Sequence, residues 1–253
     1  MVTATKKTVK QTIDLRHGDF NSTITEKNAD LMLTSPPYNI GSSSEAKTGG
    51  RRVGQYDSKS YRSIREYADN MPEADYQKSQ VAFLEWARDR IKKNGVIVYN
   101  HKLRRKNGCI LHPMNWIAQA QGLVLVEEIV WDRGSTHNHC PQMMWQQTER
   151  LFVLRKPEGK YRLRNTKATA LPQTSDVWRV NKAPVNGHNA PFPLELAEAA
   201  IKAWCPKGGT VIDPYAGSGT TALACMNTGR QFIGSERLKK YFNLSLKRLG
   251  GAL

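Results

Sequence analysis

"TVIDPYAGSGTTALA", residues 210–224, places a strand, a glycine-rich turn and a helix in that order. The run Thr210-Val211-Ile212 ends at Asp213 and Pro214, and proline stops a strand by removing an N–H. Gly217 and Gly219 let backbone approach a ligand closely. The next apolar run, "QFIGSE" (231–236), closes on Glu236, where an acid can accept hydrogen bonds from both hydroxyls of a ribose. Strand, G-x-G, helix, strand and acid together point to a cofactor that contains a nucleoside. The turn is not a phosphate-binding P-loop, because no lysine follows the glycines, and the missing third glycine disfavours NAD. The bland alternative is a tight βα turn beside an ordinary exposed glutamate.

Outward from this unit the chain keeps the same rhythm. Strands are expected at 12–19, 30–34, 96–100, 123–132, 149–156, 210–215 and 231–236. Helices are expected at 76–95, 112–122, 193–205, 220–229 and 239–250, the first stopped by Asn94-Gly95. Such alternation predicts an α/β fold with a largely parallel twisted sheet and helices on both faces. Two stretches escape it. Residues 41–75 are rich in Gly, Ser and basic residues, and residues 157–190 also read as a long loop.

A second motif interrupts the buried strand "DLMLT" (30–34), which runs into Ser35-Pro36-Pro37-Tyr38. The prolines remove two donors and leave carbonyl acceptors in fixed geometry. Ser35 adds an oxygen acceptor and Tyr38 a flat apolar face. Acceptors with a stacking ring match an amino group on an aromatic base. An exocyclic amine is a poor nucleophile, since its lone pair is delocalised into the ring. Acceptors holding its hydrogens would aim that lone pair at an electrophile, which is catalysis by positioning and electrostatics.

"TSPPYNIG" (34–41) with "DPYAGSGTT" (213–221) resembles the S-adenosylmethionine-dependent amino-methyltransferases of DNA, which methylate N6 of adenine or N4 of cytosine. The order, S-P-P-Y first and glycine loop late, is similar to the permuted β group of that family. "HGD" (17–19) and the continuous stretch 187–221 extend the resemblance through most of the chain. It implies a Rossmann-like methyltransferase sheet, mixed at one edge, as a single catalytic domain over 1–253. Ser35, Pro36, through its carbonyl, and Tyr38 would hold the target base, with Pro37 completing the motif. Asp19 would contact the cofactor adenine and Glu236 its ribose. Asp213, Gly217 and Gly219 would border its methionine part, with Tyr215, Ala216, Ser218 and Thr220 of the same loop, and Phe192 would pack nearby. Tyr215 stands where Phe is commoner in the family. The first claw residue is often Asp in adenine enzymes and Ser in cytosine N4 enzymes, so Ser35 leans to cytosine, although Ser also occurs in adenine enzymes.

Composition fits this implication. Lys and Arg number 38 against 22 acids, a net charge of +16, which favours a polyanionic partner. A base inside a duplex must be flipped to reach such a site. Candidate phosphate contacts are Arg51, Arg52, Arg62 and Arg65, then Arg104, Arg105 and Lys106, then Lys160, Arg162, Arg164 and Lys167. Residues 157–185 are the expected target-recognition region, with the enzyme a monomer or homodimer. Other readings are an RNA or protein-amide methyltransferase and a non-catalytic DNA-binding module. No membrane partner is expected, and no secretory signal or bilayer-spanning run is seen. The four widely spaced cysteines agree with reduced thiols in a cytoplasmic, nucleoid-associated, prokaryotic or phage-type setting. "THNHC" (136–140) lacks the ligand geometry of a zinc site and reads as a loop. Trp86 and Trp116 read as packing residues, whereas Trp131 and Trp145 flank that loop and are candidates for DNA contact.

Overall fold

Short runs of β-branched and aliphatic residues, buried on both faces, are the backbone of this molecule. The computed structural model describes residues 11–39, 70–106, 108–134, 144, 146–163, 175–183 and 193–250. In chain order these form β1 (Ile13–His17), α1 (Phe20–Thr23), β2 (Ala29–Thr34), α2 (Glu73–Arg88), β3 (Ile91–His101), β4 (Arg104–Lys106), β5 (Cys109–Leu111) and α3 (Met114–Ile117). There follow β6 (Val124–Asp132), β7 (Thr148–Arg155), β8 (Val177–Arg179), α4 (Leu194–Trp204), β9 (Thr210–Asp213), α5 (Thr220–Thr228), β10 (Gln231–Glu236) and α6 (Lys239–Gly250).

The main sheet has the order β1-β10-β9-β2-β3-β7-β6-β8. The first five strands are parallel, β7 runs antiparallel to both β3 and β6, and β8 is parallel to β6. The expected Rossmann-like sheet, mixed at one edge, is the observed one. Side chains alternate between faces with period two. Leu31, Leu33, Val96, Val98 and Val211 join α4 and α5 in one core. Met32, Ile97, Tyr99, Phe152 and Ile212 join α2 and α3 in the other. Among the described residues no helix is long and apolar enough to cross a membrane.

Several expectations need correction. The helix read over 76–95 spans Glu73–Arg88 instead, so the last residues assigned to the first long loop form its opening turn. Asn94-Gly95 does not stop a helix but lies inside β3. There the register jumps from Ala29↔Ile91 to Leu31↔Val96, a bulge. A Cβ on Gly95 would meet the Ala29 carbonyl oxygen at 2.8 Å, which explains the glycine. The helix read over 112–122 shrinks to Met114–Ile117, and residues 157–185 contain β8, which pairs with β6. The hairpin β4–β5, three residues per strand, was not among the expected strands. Residues 40–69 and 164–174 lie outside the described residues.

Candidate active site

The carboxyl ends of β1, β10, β9, β2 and β3 share one edge of the sheet, where open α/β folds form ligand crevices. β2 and β9 are neighbours, with Leu31 opposite Val211 and Met32 opposite Ile212. The S-P-P-Y segment and the glycine loop therefore leave the sheet side by side. A cleft of about 140 Å³ opens between them, lined by Asp19, Phe20, Pro37, Tyr76, Tyr215 and Glu236 among others.

The claw is held by side chains. Ser35 Oγ and the Tyr38 hydroxyl are 2.7 Å apart, and the Tyr38 hydroxyl lies 2.8 Å from Asn100 Oδ1 and 3.1 Å from Glu149 Oε2. The Tyr38 ring packs on the His101 ring, centroids 4.5 Å apart. Burial, and next the charge of Glu149, raise the Tyr38 pKa well above the usual phenol value, so the hydroxyl keeps its proton. The Tyr76 hydroxyl of α2 lies 2.9 Å from the Pro37 carbonyl oxygen. His101 Nε2 lies 2.8 Å from the same Tyr76 hydroxyl, and burial lowers the His101 pKa to about 3, leaving a neutral ring. Asn39, in the left-handed region at φ 54°, ties the end of the claw to Met71 by two hydrogen bonds.

The glycine loop is held by backbone and one buried acid. Asp213 accepts from the Tyr215 N–H at 3.1 Å and the Thr221 hydroxyl at 2.6 Å. Burial pushes its pKa up to about 6. Gly219 sits at φ 78°, and a Cβ there would meet the Ser245 Cβ at 3.0 Å, so the packing of α6 also requires a glycine here. Ser218 and Thr220 also face α6, where Arg248 donates to the Ser218 carbonyl, the Ser218 hydroxyl and the Thr220 hydroxyl. Glu236, 2% exposed, accepts the Gly217 N–H at 2.9 Å and the Leu238 N–H at 2.7 Å. Asp19 caps α1 through the Asn21 N–H, and Phe20 and Tyr215 lie 5.2 Å apart, ring to ring. Ala216 is buried at the loop's bend.

The structure thus brings together Ser35, Pro36, Pro37, Tyr38, Asp19, Asp213, Tyr215, Gly217 and Glu236 at one sheet edge. Phe192, Arg51, Arg52, Arg62, Arg65, Arg164, Lys167, Trp145 and "THNHC" lie outside the described residues. Among the described residues no group of three His, Cys, Asp or Glu could hold a metal. Three phosphate candidates are placed differently from expectation. Arg104 is 5% exposed, paired with both oxygens of Glu73 at 2.8 Å and lying over the rings of Tyr76 and Trp116, so it is an internal residue. The Lys160 N–H bonds Asn94 at the amino end of β3, and Arg162 adjoins Tyr161, which meets Trp204 at the end of α4; both cations stand at the edge opposite the cleft. Arg105 and Lys106 stay part-exposed on the hairpin that follows β3. Trp131 is core, donating to the Val180 carbonyl at 2.7 Å. Sequence reading missed Asn100, Glu149, Tyr76 and Arg133; only the polar pair Asn100-His101, directly after the run Val96-Ile97-Val98-Tyr99, marked the place.

The family model for DNA methylases of the N6 and N4 type matches residues 29–247. The chain belongs to this DNA methylase family. Among its methylase relatives, the type II methyltransferase M2.DpnII of Streptococcus pneumoniae is 24% identical over 260 residues, covering 95% of this chain and 90% of that protein. M.Cfr9I of Citrobacter freundii is 34% identical over 143 residues, 53% of this chain and 47% of that protein. The chain spans about half the length of this and other curated methylase relatives, as with M.XycI (47%) and M.BglI (49%). Two solved methylase structures share the fold. PvuII DNA methyltransferase, described as cytosine-N4-specific, superposes with a TM-score of 0.70 at 18% identity, covering 94% of this chain and 87% of that one. A DNA modification methylase of Thermus thermophilus, complexed with S-adenosyl-L-methionine, does so at 0.60 and 22%, covering 94% and 95%.

Proposed function

We propose that this methylase transfers the methyl group of S-adenosylmethionine to the exocyclic amine of a flipped DNA base, N4 of cytosine in preference to N6 of adenine. The observation that carries this is the adjacency of β2 and β9, which sets the S-P-P-Y segment beside the glycine loop, with Pro37 and Tyr215 lining one cleft. The residues present suit that cofactor. Two carboxylates, Asp19 and Glu236, offer acceptors for nucleoside hydroxyl and amino groups, and the rings of Phe20 and Tyr215 offer apolar surface between them. Bound there, it would supply an electrophilic methyl group on a sulfonium. The rest falls to the chain's own groups. The Pro36 carbonyl and Ser35 hold the amine hydrogens, Tyr38 presents its ring, and Tyr76 and Asn100 fix these parts.

The preference for cytosine rests on Ser35. A serine oxygen reaches less far than an Asp carboxylate and brings no charge of its own. The cytosine-N4-specific description of the PvuII enzyme agrees. Adenine N6 is the second reading, since the base-holding acceptors suit either amine. Nucleoside mass spectrometry of DNA incubated with chain and cofactor tests both: N4-methylcytosine is expected, N6-methyladenine would reverse the preference, and methylation of RNA alone would overturn the DNA assignment. Steep loss of DNA binding with salt is also expected, because phosphate contacts release counterions.

A further inference from the structure

The Tyr38 hydroxyl lies among three oxygens: Ser35 Oγ at 2.7 Å, Asn100 Oδ1 at 2.8 Å and Glu149 Oε2 at 3.1 Å. A phenol has one proton. Asn100 donates through Nδ2 to the Arg150 carbonyl at 3.1 Å, which turns its oxygen toward Tyr38. Glu149, 8% exposed, takes the Arg133 guanidinium on its other oxygen at 2.9 Å. Both partners are acceptors, so the Tyr38 proton goes to one of them. The contact with Ser35 is then made by the Ser35 proton, donated to the phenol oxygen. Ser35 is part-exposed, and Oγ is left with lone pairs only for an incoming amine.

We propose that Glu149 is a positioning residue that fixes Ser35 as an acceptor and ends a proton relay running from the target amine through Ser35 and Tyr38. The proposal rests on the amino-methyltransferase reading above. When the amine nitrogen forms its bond to the methyl carbon, the carbon–sulfur bond breaks and sulfur keeps that electron pair. The nitrogen then carries one proton too many. That proton passes to Ser35 Oγ, the Ser35 proton to the Tyr38 oxygen, and the Tyr38 proton to the Glu149 carboxylate. Asn100 can hold the phenol but cannot take its proton, whereas a carboxylate can. The charged groups facing Glu149 are Arg133, which follows β6 and donates to Oε1 at 2.9 Å, and Lys182, which follows β8.

The test compares Glu149→Gln, which keeps size and an acceptor oxygen, with Tyr38→Phe, which keeps the ring. Glu149→Gln is expected to lower kcat for DNA methylation about 100-fold, the scale of proton-transfer assistance, with KM for DNA and cofactor nearly unchanged. In a Tyr38→Phe background the same substitution is expected to change kcat less than about twofold, since the relay is already cut. A fully active Glu149→Gln, or an equal cost in both backgrounds, would overturn the relay. A readout without turnover is the NMR titration of the Tyr38 ring carbon in the free protein. Loss of the carboxylate should let Tyr38 ionise at lower pH than in the unsubstituted chain, because Glu149 helps to raise its pKa, and an unmoved titration counts against the coupling. If the unsubstituted chain methylated nothing, the functional reading itself would fall, while the NMR titration would still report on the Glu149–Tyr38 contact.

Discussion

The ends of β2 and β9 lie side by side, yet they are built in opposite ways. The claw after β2 is a side-chain construction: hydroxyls, an amide and a carboxylate fix which atoms accept and which donate. The loop after β9 is mainly a backbone construction, shaped by two left-handed glycines and a buried acid, and pinned from behind by Arg248. The difference follows the work assigned to each. Chemistry on an amine depends on where single protons sit, which only side chains can specify. Cradling a cofactor depends on close approach, which backbone provides.

The contrast can be broken at four points. The largest effect is expected from Ser35→Ala, which should lower methyl transfer about 100- to 1,000-fold, as when one preorganised hydrogen-bonding group is lost, while calorimetry shows cofactor binding retained. Full activity would mean that the hydroxyl plays no part. Next is Asp213. Its folded pKa of about 6 lies above the ordinary value of 3.8, so the group stabilises the fold fully below the ordinary value and loses that contribution as pH rises through 6. The loss amounts to roughly 3 kcal/mol between acid and neutral pH, at about 1.4 kcal/mol per pKa unit. Denaturant midpoints of Asp213→Asn should therefore fall less steeply with rising pH than those of the unsubstituted chain. An identical slope would remove the buried acid from the account.

Smaller effects sharpen the comparison. Arg248→Gln takes a charged donor from the back of the loop and should weaken cofactor binding by about 1–2 kcal/mol with kcat nearly kept. A fall in kcat alone would show that loop and claw are not separable. Smallest is Arg105→Ala on the β4–β5 hairpin, which should weaken DNA binding evenly across sequences and reduce the log–log salt slope by about one. No change in slope would place the phosphate backbone elsewhere.

Much of this arrangement was legible beforehand. The apolar runs Leu31-Met32-Leu33, Val211-Ile212 and Phe232-Ile233, punctuated by Gly, Pro and Asp, marked β2, β9 and β10, because strands buried on both faces are rich in apolar residues. Charged or mixed segments were not legible. The strands of the hairpin β4–β5 and the edge strand β8 have three residues each, too few to show a period, and the bulge that draws Asn94-Gly95 into β3 depends on the passing Ala29 carbonyl. Arg104 looked like a surface cation in a basic cluster, and only the fold brings Glu73, Tyr76 and Trp116 around it.

Family, alternating α/β pattern and the two motifs are all readable along the chain, because they reside in short contiguous stretches whose backbone chemistry is local. Only the folded chain makes the motifs neighbours, brings the Tyr76 hydroxyl within 2.9 Å of the Pro37 carbonyl and stands Glu149 behind Tyr38. Glu149 lies 111 residues from Tyr38 along the chain. A hydrogen bond depends on a few tenths of an ångström between two side chains, and no local pattern records which distant strand end will supply the second.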